Sequence, residues 1–550
     1  MDLRIDELRR EKEISDWMTE LAETLHPQSM LIKNIRIISE EHIDPNQEMC
    51  VFIDKGTIAS IDEEVVHTAE ITIDGQGKFL LAGLIDMHIH TRGSNAHHLL
   101  NLLHGITTTR EMCGFPWMLR RRSMIEENAF LGPRMIVAGT MLNYRPFYQF
   151  TQVVRTPEEI RAAIKNQIAD GYEWIKIWNH MPAELVKVIG EECKKAGIPL
   201  AGHIPNEVTV RQAVDFGFRT MEHLKGYIID SGVILTEEDY VESTPPTGVW
   251  NCPTFLVFFY EALLGDEALE VLNKMPEHEY ISPYIRDFWH RELREREKDV
   301  EDKQRNVPLD HLNLQKKIFQ ELRDIDAPYI VGTDFGGGYP LCLPGLGFLR
   351  ELQYMHDTFE IPYTELLQKA TSEAAIVLSK ENTIGSIRVG SVADLVIFDH
   401  DPRVRGIPLE SSIDVITAGR YISRDLRKEL LKRLQEFYQR DLDDLKEDEI
   451  VKDLFEYYLQ PANRGIIKPQ FVSLFASYLK DKDELERAIK IAELNLELVG
   501  SYFDYFEVGE LYERAEEIKI AQKRWRHALE LNPYFDHLRE KLEGIQTSSG

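Results

Sequence analysis

The sequence is short of cysteine, of long apolar runs and of positive charge, and each shortage excludes a class of protein. Only five cysteines occur among 550 residues, widely scattered and without a CxxC pair. An odd number without close pairs indicates neither a disulfide framework nor a thiolate zinc site. We therefore expect buried apolar thiols at all five positions, which are Cys50, Cys113, Cys193, Cys252 and Cys342.

The lack of long apolar runs argues against a membrane protein. No run approaches the roughly 18 to 20 residues that cross a bilayer, and the N-terminus, MDLRIDELRREKEISDW, is a charged amphipathic stretch and not a signal peptide. Acidic residues outnumber basic ones by 93 to 64, which gives a formal net charge of −29. This excess argues against nucleic acid or an anionic membrane as the main partner. The sequence predicts a soluble, cytoplasmic protein.

The placement of short β-rich runs predicts a small domain that is split by an insertion. After a helical lead-in at 1–29, such runs fill residues 30–80, and a matching β-rich stretch returns at 382–422. We expect the two pieces to form one split β-sandwich around the inserted residues 81–381.

Within the insertion, short apolar runs alternate with amphipathic helical stretches, as in a parallel β/α architecture. Eight such repeats in roughly 300 residues fit a (β/α)₈ TIM barrel. A doubly wound sheet would require a glycine-rich phosphate loop after the first run, and TRGSNAHH is no such loop. The predicted fold class is therefore α/β. The eight runs are GLIDMHIH, GITTTRE, RMIVAG, EWIKIW, IPLAGH, RTMEH, VWNCPTF and YIVGTD.

From about residue 424 the sequence predicts continuous helix, which we assign to an all-α domain at 424–550. Residues 502–535 fit a helix-turn-helix repeat of the tetratricopeptide type, which is about 34 residues long. The preceding segment resembles a worn copy of the same repeat. Since two copies cannot bury their faces alone, we expect them to pack on the barrel or on another subunit.

Ligand-type side chains stand at the ends of several predicted barrel strands. His88 and His90 are two residues apart at the end of the first run, so both imidazoles point to one side of the strand. His203, His223 and Asp334 each close a later run. In a barrel these ends converge on the C-terminal rim, where the active site of this fold lies. The pattern predicts a site for divalent metal.

A lysine inside an apolar run completes the predicted metal site. Lys176 lies within EWIKIW, where an unpaired ammonium would be costly to bury. Beside a metal ion an ammonium would be repelled, whereas a carbamate formed with CO₂ would be an anionic bridging ligand. Imidazole and carboxylate ligands suit Zn²⁺, with Mn²⁺, Fe²⁺ or Co²⁺ as alternatives.

These motifs resemble the metal-dependent amidohydrolase superfamily, most closely its prolidase, Xaa-dipeptidase and imidazolonepropionase-like branch. LAGLIDMHIH is similar to that family's PGLIDxHxH strand, and GITTTREM to its GVTTVRD strand. EWIKI resembles the strand that bears a carboxylated lysine, and AGH, MEH and GTD resemble the remaining ligand strands. IGSIRVGSVADLVIFDHDP is similar to the family's closing IGSIxxGxxADLVVxDxDP. The resemblance covers about residues 30–422.

The resemblance implies a site for two divalent metal ions, most readily Zn²⁺. One ion would have three ligands, His88, His90 and Asp334. The other would be bound by His203 and His223, and N-carboxylated Lys176 would bridge the two ions together with a hydroxide. That hydroxide would attack an amide carbonyl, and Asp334, the predicted catalytic residue, would pass its proton to the departing amine.

Four residues are candidates for substrate contact. Arg92 lies two residues beyond His90, at an offset where an arginine resembles the substrate-carboxylate clamp of cyclic-amide hydrolases such as dihydroorotases. A guanidinium suits that task, and the alternative is a surface arginine in the first loop. The weaker candidates are Tyr144, His180 and Tyr227.

The predicted function is metal-dependent hydrolysis of the C–N bond of an amide, in a dipeptide or an N-acyl amino acid. An alternative is hydrolysis of a cyclic amide, as in imidazolonepropionases or dihydroorotases. An alternative from another class is an interaction scaffold that uses the C-terminal helical repeats. We expect a small-molecule or dipeptide substrate, no nucleic-acid or membrane partner, a homo-oligomer, and a possible protein partner through residues 424–550.

Overall fold

The structure is a computed structural model. It describes residues 2–39, 47–91, 93–147, 150–228, 249–263, 265–303, 307–336, 341–409, 412–440 and 446–548.

Strands are concentrated in the first half of the described chain. In chain order they are β1 (Met30–Ile37), β2 (Glu48–Asp54), β3 (Thr57–Asp62), β4 (Ile71–Ala82), β5 (Leu84–Ile89), β6 (Ile106–Glu111), β7 (Arg134–Val137), β8 (Met141–Asn143), β9 (Thr151–Val153), β10 (Ile175–Ile177), β11 (Leu200–Gly202), β12 (Phe218–Glu222), β13 (Trp250–Cys252), β14 (Leu395–Phe398), β15 (Ile413–Thr417) and β16 (Arg420–Ile422).

Helices alternate with the strands and then fill the C-terminal part of the chain. They are α1 (Leu3–Thr24), α2 (Ala96–Leu103), α3 (Pro116–Glu126), α4 (Pro157–Asp170), α5 (Ala183–Ala196), α6 (Val210–Phe216), α7 (Phe255–Ala262), α8 (Gly265–Lys274), α9 (Pro283–Lys303), α10 (Val307–Asp324), α11 (Leu346–Phe359), α12 (Tyr363–Lys369), α13 (Ser372–Val377), α14 (Pro402–Arg405), α15 (Arg424–Gln439), α16 (Glu447–Leu459), α17 (Pro469–Asp481), α18 (Leu485–Ala492), α19 (Leu494–Leu498), α20 (Tyr502–Arg514), α21 (Ile518–Leu531) and α22 (Asp536–Ser548). Short 3₁₀ helices cover Pro276–Tyr280 and Pro461–Gly465.

The predicted split domain is a single seven-stranded sheet in the described residues. Its strand order is β16-β15-β14-β4-β1-β2-β3. β14 pairs antiparallel with β4, with Leu395 opposite Ala82, so the two distant chain segments share backbone hydrogen bonds. Because all seven strands belong to one sheet, the two separate sheets of the predicted sandwich are not found here. The domain boundary predicted at residues 80–81 falls within β4.

Seven of the eight predicted barrel runs contain strands of two parallel sheets. One sheet has the order β5-β6-β7, and the other has the order β13-β12-β11-β10-β8-β9. The eighth run is joined to its neighbours by isolated bridges, from Tyr329 to Asn251 and from Phe335 to Ile89. A further bridge links Ala138, after β7, to Trp174, before β10. The runs that carry the predicted ligands therefore lie side by side.

The lead-in predicted to be helical is α1, which connects the barrel helices to the C-terminal helices. Asp2 caps its N-terminus by accepting a hydrogen bond from the backbone N–H of Arg4. The apolar side chains of Ile5, Leu8 and Met18 are buried, and so are the polar side chains of Glu7 and Glu11. α1 contacts α2 and α9 as well as α15, α16 and α17.

The C-terminal region is helical from α15 onwards, as predicted. α20 and α21 form an antiparallel pair in which Gly509 faces Trp525, and a methyl group on Gly509 would lie 2.3 Å from the indole Nε1. Such a close pair is typical of the repeat predicted for residues 502–535. The assignment of this region to the tetratricopeptide type stays a prediction.

Two features of the structure correspond to the low cysteine content and to the lack of long apolar runs in the sequence. All five cysteines are buried and none forms a disulfide, as predicted. In the described part of the chain, no helix combines the length and the apolar character that crossing a membrane requires.

Candidate metal centre

Five of the six predicted ligands lie in or directly after parallel strands, and the sixth, Asp334, closes the eighth run. His88 is in β5 and His90 follows it directly, while Lys176 is the central residue of β10. His203 and His223 are the first residues after β11 and β12. All six side chains are buried, with between 0 and 7% of each residue exposed. The strands therefore deliver the ligand-type groups to one enclosed place.

Asp334 lies at the centre of the cluster. Its Oδ1 is 3.2 Å from His90 Nε2 and 3.4 Å from His88 Nε2. Its Oδ2 is 3.9 Å from His223 Nε2. The backbone of Asp334 and that of His223 both have positive φ, at 54° and 62°. For residues other than glycine this conformation costs about 1–3 kcal/mol, and such residues are enriched at functional sites.

Lys176 and His203 complete the cluster from the next two strands. Lys176 Nζ lies 3.2 Å from His88 Nε2. The ring of His203 lies 4.7 Å from that of His223, and its Nδ1 is hydrogen-bonded to the side-chain oxygen of Asn179. The structure thus brings together all six residues that the sequence predicted as ligands.

A buried carboxylate behind His88 was missed in the sequence analysis. Glu222 is fully buried, and its Oε2 lies 2.7 Å from His88 Nδ1. Its Oε1 accepts hydrogen bonds from Arg110 at 2.9 Å and from the Thr220 hydroxyl at 2.5 Å. Because the carboxylate can only accept, His88 donates from Nδ1 and presents the lone pair of Nε2 to the cluster. The signal in the sequence was a pair of opposite charges inside two buried strands, in TTTRE and RTMEH.

His223 is held by residues from two helical segments beyond the barrel strands. Its Nδ1 lies 2.7 Å from the hydroxyl of Thr254, which immediately precedes α7. Its backbone carbonyl accepts a hydrogen bond of 3.0 Å from Gln315 in α10. Nothing in the local pattern of the sequence identified either partner, because both contacts depend on how the helices pack against the rim.

Burial sets the protonation of the cluster. It lowers the pKa of His88, His203 and His223 well below the ordinary value for histidine. Burial also lowers the pKa of Lys176, although the carboxylates of Glu222 and Asp334 oppose this shift. Neutral imidazoles are the form that binds metal, and a neutral amine is the form that reacts with CO₂.

The donor set fits a divalent metal ion. Ligand atoms of His88, His223 and Asp334 all lie within 4.8 Å of one another. Nε2 of His203 is buried and has no hydrogen-bond partner among the described residues, as expected of an atom intended for an ion. The ligand atoms of a second group, His88, Glu222 and Cys252, also lie within 4.8 Å of one another. The Glu222 carboxylate is already paired with Arg110, so we favour the first group.

Comparison with known proteins agrees with this chemistry. Residues 283–454, which include Asp334, match the model of the Amidohydrolase family. Over this segment the chain is similar to the amidohydrolases. The other five clustered ligands lie outside the matched residues, so their assignment depends on the geometry given above.

Proteins to which this chain is similar differ in their named activities. A 5-methylthioadenosine/S-adenosylhomocysteine deaminase of Caldanaerobacter subterraneus is 23% identical over 408 residues, which are 68% of this chain and 84% of that protein. A dihydroorotase of Carboxydothermus hydrogenoformans is 44% identical, but only over 69 residues, which are 12% of this chain and 16% of that protein.

Solved structures with known folds superpose on this chain. Bottromycin amidohydrolase superposes with a TM-score of 0.65 at 18% identity, covering 77% of this chain and 93% of that one. A Xaa-Pro dipeptidase with bound methionine superposes with a TM-score of 0.52 at 20% identity, covering 72% and 99% of the two chains. At these identities the likeness shows the fold alone.

The four residues predicted to contact the substrate lie in different surroundings. Arg92 lies outside the described residues. Tyr144 is half-buried and its backbone N–H donates to the carbonyl of His180, which is itself exposed. Tyr227 is fully buried in the main hydrophobic core, a position that favours packing over substrate contact. Substrate binding by these four residues stays a prediction.

Aromatic side chains flank the cluster of predicted ligands. The indole of Trp178 lies 4.1 Å from the ring of His203, and the ring of Phe147 stacks with the same indole at 5.8 Å. Phe258 lies 5.8 Å from the ring of His223. Phe147 belongs to the segment between β8 and β9, two short strands that the sequence did not predict. These rings form apolar walls beside the polar cluster.

Proposed function

We propose that this protein is an amidohydrolase that hydrolyses the C–N bond of an amide, in a dipeptide or an N-acyl amino acid, with two divalent metal ions. The supporting observation is the position of Lys176, whose fully buried Nζ lies 3.2 Å from His88 Nε2 among further imidazoles. An ammonium in that position would oppose a metal ion. As a carbamate the same side chain would offer anionic oxygens to both ions.

The proposed ligands divide as the sequence suggested, and Zn²⁺ is the ion that suits them best. We further propose that the eight strand runs form a closed barrel. The parallel pairing of β5 to β7 and of β10 to β13 supports this, together with the bridges to Tyr329 and Phe335. The cluster would then lie at the C-terminal rim, where enzymes with this fold carry out their chemistry.

When bound, the metal ions would lower the pKa of a water molecule and polarise the scissile carbonyl. Asp334 would accept the proton of the attacking water and deliver it to the departing nitrogen. Its carboxylate is suited to this task because it lies within 3.2 to 3.9 Å of three imidazoles that point at the same space. The rings of Trp178 and Phe258 would limit the access of bulk water.

A substrate screen tests this proposal. Metal-free protein would be loaded with Zn²⁺ or Mn²⁺ and offered dipeptides, N-acyl amino acids, cyclic ureides and aminopurine nucleosides. We expect up to two ions per chain and turnover of the first two classes. Turnover of cyclic ureides alone would overturn the acyclic substrate class in favour of a cyclic amide. Turnover of nucleosides alone would indicate that the enzyme is a deaminase.

Asp334→Asn is the decisive variant. It should lower kcat by about 10²–10⁴-fold, the usual contribution of a general base. Asp414→Asn is the matched control, because Asp414 is also buried and pairs with Arg424 but lies in the seven-stranded sheet. Folded protein that takes up no metal, or an Asp334→Asn variant with wild-type turnover, would overturn the proposal.

A further inference from the structure

Two segments outside the barrel reach the loop that follows the first ligand strand. We define the first-strand loop as residues 91 and 93–95, which come directly after the ligand His90. We propose that Lys468, which immediately precedes α17, together with Glu11 of α1, positions the first-strand loop and so shapes the substrate-binding side of the metal centre. This inference rests on the proposed function for its catalytic consequence, whereas the contacts stand independently of it.

Lys468 binds the first-strand loop through its backbone carbonyls. Its Nζ lies 2.7 Å from the carbonyl oxygen of Gly93, 3.1 Å from that of Ser94 and 3.4 Å from that of Thr91. The residue is 1% exposed, so these oxygens replace the water that an ammonium would otherwise bind. An ammonium has three donors, and the loop supplies an acceptor for each of them.

Glu11 binds the same loop from the other end of the sequence. Its Oε1 accepts a hydrogen bond of 2.7 Å from the backbone N–H of Asn95, and its Oε2 accepts one of 2.6 Å from the Ser94 hydroxyl. Arg121 of α3 donates to the side-chain oxygen of Asn95 at 2.8 Å and to the carbonyl of Ile466 at 2.8 Å. A carboxylate and two cations thus enclose the loop in a buried network.

Within the predicted barrel region, β6 holds the start of the loop and α3 contacts Asn95. Both carboxylate oxygens of Glu111, at the end of β6, accept from the backbone N–H of Thr91, at 2.9 and 2.8 Å. From Gly93 onwards the polar contacts come from α1, α3 and the C-terminal helices. The path of the loop beyond the ligand strand therefore depends on the docking of segments that the barrel does not include.

The C-terminal helices also contact a second part of the rim. The guanidinium of Arg155, which follows β9, lies 3.7 Å from the ring of Tyr534 and 4.9 Å from that of Tyr144.

Burying ions is costly unless each is fully paired, and an apolar side chain could have filled the place of Lys468. A buried ammonium that donates three hydrogen bonds to the backbone carbonyls of one loop is better suited to defining the path of that loop.

Hydrogen–deuterium exchange of the full-length protein tests the positioning directly. Lys468→Met keeps the length of the side chain and removes its donors. We expect the amides of residues 91–98 to exchange at least about tenfold faster, because an opening that costs about 1.4 kcal/mol less is ten times more frequent. Lys482→Met is the matched control, since Lys482 pairs with Glu447 in the same helical region and does not contact the loop.

The kinetic consequence separates positioning from a general loss of stability. With a substrate from the screen above, Lys468→Met should raise KM by about tenfold and change kcat less than about threefold, as expected when binding contacts are displaced. Metal content should stay at the wild-type value. Partial unfolding would instead lower the active fraction, and hence the apparent kcat, at an unchanged KM.

Unchanged exchange in residues 91–98 of Lys468→Met, or a lower kcat at the wild-type KM, would overturn the inference. If Lys468→Met does not fold, Glu11→Gln takes its place, because it keeps the shape of the side chain and one of its two acceptors for the loop. Faster loop exchange without turnover of any substrate would uphold the positioning role and reject the proposed function.

Discussion

The pair formed by Glu222 and His88 provides the sharpest test of the metal centre. Glu222→Gln replaces an acceptor-only carboxylate with an amide that has one oxygen and one NH₂ group. In the wild type, Oε1 of Glu222 faces Arg110 and Thr220, and Oε2 faces His88 Nδ1. We expect the amide oxygen to turn towards Arg110, because two donors would otherwise oppose each other. The NH₂ group then faces His88 Nδ1 and forces the ring proton onto Nε2.

The magnitude follows from the role of Nε2. With a proton on Nε2, His88 has no lone pair for an ion on the side that faces Lys176 and Asp334. Loss of such an outer partner typically lowers metal affinity by about 10–100-fold, which corresponds to about 1.4–2.7 kcal/mol. Losing a buried charge also weakens the contact with Arg110, so the free energy of unfolding should fall by about 1–3 kcal/mol.

Chelator competition with Zn²⁺ measures the affinity, and urea denaturation measures the stability. Asp414→Asn is the control, because it removes a buried charge paired with Arg424 far from the cluster. This control should lose stability but bind metal as the wild type does. If Glu222→Gln binds Zn²⁺ with wild-type affinity, the tautomer assigned to His88 is incorrect and the reasoning fails.

Two further predictions concern regions outside the metal centre. Gly509→Ala should destabilise the pair α20–α21 by about 1–3 kcal/mol, seen as faster amide exchange in residues 502–531. Gly544→Ala, whose methyl group would meet nothing within 4 Å, should not do so. Burial lowers the pKa of His104 from 6.5 to about 3, so it stays neutral in the folded protein while the unfolded chain takes up a proton below pH 6.5. Stability should therefore fall as the pH is lowered from 6.5, and His104→Gln should remove up to about 2 kcal/mol of that fall by pH 5. Parallel urea profiles of the two proteins at pH 7, 6 and 5 would contradict the assignment.

Much of the fold and of the ligand set could be predicted because the relevant signals are local. Alternation with a period of two identifies strands and places His88 and His90 on one face. Lys176 lies within an apolar run, so a stretch of only a few residues is enough to identify it as unusual. The strands β8 and β9 escaped prediction, since no helix separates β7, β8 and β9 in the described residues, whereas the predicted pattern was of strands that alternate with helices. The predicted sandwich was wrong in form because hydrogen bonding between distant strands decides how many sheets result.

The supporting residues required the tertiary structure for the same physical reason. Glu222 contacts His88, which is 134 residues away in the sequence, and Lys468 contacts Gly93, which is 375 residues away. Contacts over such separations form only when packing brings the elements together, and no local pattern encodes them. The sequence by itself determined the strand runs, the helical tail and the six ligand-type residues. The tertiary structure alone decided which carboxylate orients His88, and that the appended helices hold a loop beside the metal centre.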